Sequence, residues 1–157
     1  MKLMKKALAL AALAACGTAS AGLLTFDDLA PNIFGSGESV SQTDVNATVL
    51  GAGGFGALLN GADPSSCDIA ACPLGNSTIF FAGLNDSGLN LSAGGRFVSL
   101  KSLDFGFVAP VPVPGLANFG RLVVEGLGLD GASVFESREF GAADANGEFS
   151  FASWDLS

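Results

Sequence analysis

The side chains that could do chemistry in this chain are two cysteines, Cys67 and Cys72, and a scatter of fifteen acids. Histidine is absent, so neither a Ser-His-Asp nor a Cys-His relay has its base. A zinc site cannot be completed either, because the one further cysteine, Cys16, lies in an N-terminal segment of a different kind. In an oxidising compartment, a Cys-x4-Cys pair in a loop rich in Pro, Gly and Ser reads as a disulfide staple that holds the loop's shape. Two carboxylates about 5–10 Å apart would suffice for a glycosidase. Fifteen acids make chance pairs easy, and strand alternation puts most of Glu125, Glu136 and Glu139 on solvated faces. A non-catalytic protein is the expectation, with a hydrolase as the third reading after a carbohydrate-binding module.

Calcium is the one candidate cofactor. It takes oxygen ligands from loops and strand ends, and Asp27, Asp28, Asn85, Asp86 and Asp104 occupy such places. The competing reading makes Asp28 and Asp86 turn formers whose side chains bond nearby backbone amides. Neither a contiguous EF-hand loop nor a Gly/Asp nonapeptide repeat is present. For glycan contact the usual platform is an exposed Trp or Tyr. Tyr is absent and Trp154 is the sole Trp, so Trp154 is the candidate. Alternation with Phe149 and Phe151 places it on the face opposite both, exposed or against a strand missing past the C-terminus if those Phe are core; packing inside the sandwich is the competing reading.

The N-terminus explains where such a protein would work. Lys2, Lys5 and Lys6 precede an apolar run over residues 7–15, and Ala19-Ser20-Ala21 supplies small residues for cleavage between Ala21 and Gly22. Nine apolar residues are too few to span a bilayer, which takes about 20. Leu13-Ala14-Ala15-Cys16 also fits a lipobox, which would acylate Cys16 and make the product an outer-membrane lipoprotein. Residues 1–21 are therefore read as a signal peptide and residues 22–157 as one domain. The full chain carries a net charge of −8. Beyond residue 21 only Arg96, Lys101, Arg121 and Arg138 oppose the fifteen acids, a net charge of −11. That balance disfavours nucleic acid and anionic membrane surfaces as partners.

The elements that must position these residues read as short strands. Residues 24–29, 47–50, 55–59, 78–84, 89–92, 97–107, 121–129, 134–140 and 149–154 show apolar runs or alternation broken by Gly, Asn and Asp. Residues 51–54 and 85–88 carry turn chemistry, and Pro110, Pro112 and Pro114 confine their stretch to an edge or loop. Helices are left open only within residues 35–72. The pattern predicts a single all-β domain, a β-sandwich of jelly-roll type. A strand pattern running up to Trp154-Asp155-Leu156-Ser157 leads us to expect that the natural domain extends past a truncated C-terminal strand.

Several of these segments, taken in order, resemble a known group. They are the signal peptide, Leu24-Thr25-Phe26-Asp27-Asp28-Leu29, Phe81-Ala82-Gly83-Leu84-Asn85-Asp86-Ser87, the stretch holding Phe97, Leu100 and Leu103-Asp104-Phe105, and Gly120-Arg121-Leu122-Val123-Val124. Together they resemble the secreted PEP-CTERM proteins of Gram-negative, exopolysaccharide-producing bacteria. The resemblance covers nearly all of the chain after residue 21 and rests on strand patterns, with no catalytic signature. It implies a single β-sandwich, secreted or at the cell surface, whose partners are exopolysaccharide or other matrix proteins. The group's Val-Pro-Glu-Pro motif, apolar helix and basic end, processed by an exosortase, are not found in these 157 residues.

Overall fold

The computed structural model describes residues 22–67, 70–111, 119–128 and 130–157, with Pro64 described by its backbone alone. The signal peptide, Cys16 and the residue before the Ala21–Gly22 junction lie outside them. The described chain is all-β. Its strands are β1 (Asn32–Gly35), β2 (Ser39–Gln42), β3 (Val45–Leu50), β4 (Phe55–Asn60), β5 (Ala70–Ala71), β6 (Ile79–Leu84), β7 (Gly88–Ser92), β8 (Ser102–Phe105), β9 (Ala109–Pro110), β10 (Arg121–Leu127), β11 (Ser133–Glu139) and β12 (Ala152–Asp155). One 3-10 turn, Pro64–Cys67, is the helical element seen among the described residues.

All strand pairs are antiparallel, and two three-stranded sheets, β1-β4-β6 and β2-β3-β7, form the sandwich. Successive residues of a strand point to opposite faces, so one face of β4 and β6 presents Leu58, Phe81 and Ile79. These pack with Phe26, Phe34, Val40 and Leu89, from β1, β2, β7 and the segment before them, as the first core. The other face presents Leu59, Phe80 and Ala82, which meet Cys67, Cys72, Val108 and Phe151 in a second core. The β1-β4-β6 sheet is thus covered on both sides. The adjacent residues Phe80 and Phe81 belong to different cores.

The remaining sheets are two-stranded: β8 with β12, β10 with β11, and β5 with β9. Around β8 and β12 the aromatic rings form a chain of contacts. Trp154 meets Phe105 at 6.1 Å between centroids, Phe105 meets Phe140 at 5.8 Å, and Phe140 meets Phe107 at 5.5 Å. Phe107, Phe119 and Phe149 close a triangle with separations of 4.8–5.2 Å. Tilted and edge-on rings at such distances are the favoured geometry for aromatic pairs.

Two expected strands do not form as read. Residues 24–29 make a turn, because the side chain of Gln42 accepts bonds from the Thr25 and Phe26 amides at 2.9 and 3.2 Å. Phe26 has a φ of 62°, and its carbonyl accepts from Leu29. In the 97–107 stretch only Ser102–Phe105 pairs, with β12, and Phe97 is 79% exposed. The pairings define a β-sandwich; they do not by themselves define jelly-roll connectivity.

Candidate functional site

Cys67 and Cys72 are joined as a disulfide, with their Cα atoms 5.7 Å apart, inside the usual span for such bridges. Cys67 is buried under Phe80 and Ala82, and the chain leaving the loop is tied down at Leu74. There the Leu74 amide donates to the Phe149 carbonyl at 2.7 Å, and the Phe151 amide donates to the Leu74 carbonyl at 2.9 Å. The staple therefore sits in the second core and is structural in its surroundings.

The five calcium candidates fall in three separate places. Asp27 and Asp28 lie in the turn before β1, where the Asp27 carboxylate accepts from the Ile79 amide at 3.0 Å. Asn85 and Asp86 both take positive φ, 56° and 57°, the conformation that Asn and Asp tolerate in tight turns. Their turn carries the chain from β6 in one sheet to β7 in the other. Ser87 locks it, accepting from Leu84 and donating to the Phe55 carbonyl. Asp104 faces outward on β8, and its carboxylate accepts from the Ser153 hydroxyl at 2.6 Å. Among the described residues no group of three or more His, Cys, Asp or Glu side chains could hold a metal ion. Asp86 stands as a turn former; the outward Asp104 needs no buried partner.

Trp154 takes the packed place that competed with the glycan-contact reading. It is only 8% exposed and packs on Phe105, so it gives no stacking platform to a sugar ring. The alternation expected from Phe149 to Trp154 breaks at Phe151. Ser150 bridges to Leu74, β12 begins only at Ala152, and the parity shifts, so Phe149 and Trp154 are both buried.

Two acids are held below the ordinary carboxylate value of 3.8. Asp144 is lowered chiefly by the Glu148 and Asn146 amides that donate to it. Asp155 is lowered by the hydroxyl and amide of Ser157, and by Lys101. Asp144 opens a turn and Asp155 ends β12, and neither lines the depression described next. An open depression of about 330 Å³ is lined by Leu29, Phe34, Val40, Leu58 and their neighbours, with no charged side chain among them. It has the apolar wall of a small binding site but not the convergent polar groups that fix a substrate.

The sequence reading contained the two strands of the β10–β11 ribbon; what it missed is their exposure as a candidate interaction surface. The ribbon pairs residue for residue over seven positions, from Arg121↔Glu139 to Leu127↔Ser133. All seven residues of β11 are exposed. One face carries Val123, Phe135 and Leu127, exposed by 40, 57 and 75%. On the opposite face Leu122 and Val124 are half-buried, and Arg138 reaches the Ser153 carbonyl at 3.4 Å. The alternation of β10 and the exposed Phe135 were the available signals. A strand with apolar residues on both faces needs a cover on both.

Comparison with protein-family models, with curated proteins and with solved structures finds no match for this chain. Among the described residues no helix is long and apolar enough to cross a membrane.

Proposed function

We propose that this is a non-catalytic protein, secreted to the exterior or cell surface of a Gram-negative bacterium, that works by surface contact within the extracellular matrix. The partners are exopolysaccharide or neighbouring matrix proteins, in keeping with the resemblance to the PEP-CTERM group. The observation that carries the reading is the β10–β11 ribbon. It exposes Val123, Leu127, Val134 and Phe135 on a chain otherwise strongly acidic, and exposed apolar residues grouped on one element mark interaction sites. The disulfide fits an oxidising compartment. With Trp154 buried, a dedicated calcium-dependent carbohydrate module has less in its favour.

The test is co-sedimentation of the full chain with the producer's exopolysaccharide, and with its matrix fraction, in calcium and then in EDTA. The expected result is association that survives EDTA and falls at least about tenfold in Leu127→Ser/Phe135→Ser, both exposed positions whose change leaves the cores intact. Loss of association in EDTA would restore the calcium module. Association untouched by the ribbon substitutions, or a folded chain found only in the cytoplasm with reduced cysteines, would overturn the proposal.

A further inference from the structure

The outer edge of β10 has the chemistry of a strand that pairs with itself. The Phe140 amide donates to the Gly120 carbonyl, and the Gly128 amide to the Ala132 carbonyl. Both are rungs of the same ladder as the Arg121↔Glu139 register. Rungs in which both backbone groups bond across an antiparallel pair recur every second residue. Leu122, Val124 and Gly126 therefore bond inward to β11. The backbone groups of Arg121, Val123, Glu125 and Leu127 point outward, where no other strand is paired among the described residues. Among the described residues no element covers this edge. It holds no Pro or Lys, and its register with β11 runs without a bulge, so several usual defences against edge-to-edge pairing are missing; the charges it does carry, Arg121 and Glu125, are of opposite sign.

The side chains along the edge select the partner. Arg121 and Glu125 share one face and stand four residues apart, about 13 Å along the strand, too far to bond each other. Arg121 stands across from Glu139 in the ribbon without closing an ion pair, and Glu125 stands across from Phe135; neither has a hydrogen bond or salt bridge among the described residues, whereas Arg96 is paired with Asp44 and Arg138 is bonded to Ser153. We propose that β10 pairs antiparallel with β10 of a second copy of this chain, on a two-fold axis through Val123.

In that register Arg121 of each copy faces Glu125 of the other, Leu122 faces Val124, and Val123 faces Val123. Opposite charges and apolar pairs directly across two strands are the stabilising unit of a sheet. The outward backbone groups of Arg121, Val123 and Glu125 fall opposite one another, as the ladder requires, and Leu127 lies beyond the matched positions. Shifting the register by two residues sets Arg121 against Val123 or against Leu127 and leaves both charges unmatched. Pairing the outer edge of β11 about Ser137 would set Arg138 against Glu136, but it would also set Phe135 against Glu139 and draw Arg138 from its present bond to Ser153, so it is the poorer candidate. Charge also limits where two such acidic molecules can meet. The ribbon holds two of the four basic residues found beyond the signal segment.

This inference goes beyond the matrix role and is tested on the purified full chain by sedimentation equilibrium. The native chain is expected to form a dimer. Arg121→Glu and Glu125→Arg, each placing like charges opposite one another twice, should each weaken it at least about tenfold. An equimolar mixture of the two variants restores both ion pairs in a heterodimer and should return to within about threefold of the native affinity. Both positions are exposed, and retention of the disulfide and of buried Trp154 fluorescence verifies the fold. A native chain that stays monomeric at about 1 mM, near the weak end of measurable affinities, would refute the pairing. So would a dimer indifferent to either substitution, or a mixture that does not recover. A monomer that still associates with matrix would remove this inference and leave the proposed function standing.

Discussion

Gly56 tests the reasoning about the first core most directly. It sits buried on β4, opposite Gly83 of β6, and the ring of Phe81 lies across it. A Cβ added at Gly56 would fall inside contact distance of Cε2 and Cζ of that ring. The backbone there is not in the left-handed region, so Gly56→Ala introduces overlap without torsional strain. The ring cannot move without leaving its contacts with Phe26, Val40 and Leu58. Overpacking of this kind costs about 1–3 kcal/mol, and losing Phe81 from the core altogether sets a ceiling of about 3–5 kcal/mol. Against that, alanine reduces the freedom of the unfolded chain, worth about 0.4–1 kcal/mol. The net expectation is a loss of about 1–2 kcal/mol, a fall in the urea midpoint of roughly 1 M for a domain of this size. Trp154 fluorescence and far-ultraviolet dichroism read the transition. Gly126→Ala, where an added Cβ meets nothing, should leave the midpoint level or slightly raised. In a Phe81→Leu background, which lacks Cε2 and Cζ, Gly56→Ala should cost less than about 0.5 kcal/mol. Equal losses in both backgrounds would falsify the assignment of the clash to Phe81.

Three further outcomes follow from the geometry. Reducing the Cys67–Cys72 bridge releases a loop with a sequence separation of 5; the chain-entropy relation gives a loss of about 2 kcal/mol, measurable as a lower urea midpoint in reductant. Trp154 emission should be blue-shifted and resist iodide quenching, unchanged by added sugars, since its indole is packed on Phe105; red-shifted, readily quenched emission would contradict its burial. Asp144 has a folded pKa below 3.8, so its turn is fully supported above that value and loosens as pH falls through the lower folded value. Amide shifts of Asn146 and Glu148 followed down an acid titration report this, and Asp144→Ala should abolish the transition.

The legible part of the fold was the part whose local chemistry agreed with its surroundings. The run at 55–59 and the Asn85–Asp86 turn were readable because strand alternation and left-handed turn propensity both favour what forms. β1 and β2 were not readable: Asn32–Gly35 has only the adjacent Ile33 and Phe34, too short for a pattern, Ser39–Gln42 is largely polar, and they become strands only through pairing with β4 and β3. Residues 24–29 misled in the opposite sense. Their apolar run resembles a strand, but a side chain seventeen residues away, that of Gln42, takes up their amides. Trp154 was misplaced because alternation was assumed to pass unbroken through a position where the chain changes partner, from Leu74 to β8. The candidate interaction ribbon was visible as two strands, but its openness depends on what lies beside it, and spacing alone does not contain that.

The shared sheet sets an order of assembly. Every strand of the two three-stranded sheets lies between Asn32 and Ser92, so the first core can close from nearby segments at low loop-closure cost. The second core waits for Val108 and Phe151. Until those arrive, the reverse side of β4 and β6 is an apolar plane bearing Leu59, Phe80 and Ala82, covered only in part by Cys67 and Cys72. Pulse-labelled hydrogen exchange during refolding should show β4 and β6 protected before β8 and β12. Any chain emerging amino end first, with residues up to Ser92 free before Val108 and Phe151, would expose that plane for the time it takes the rest to follow.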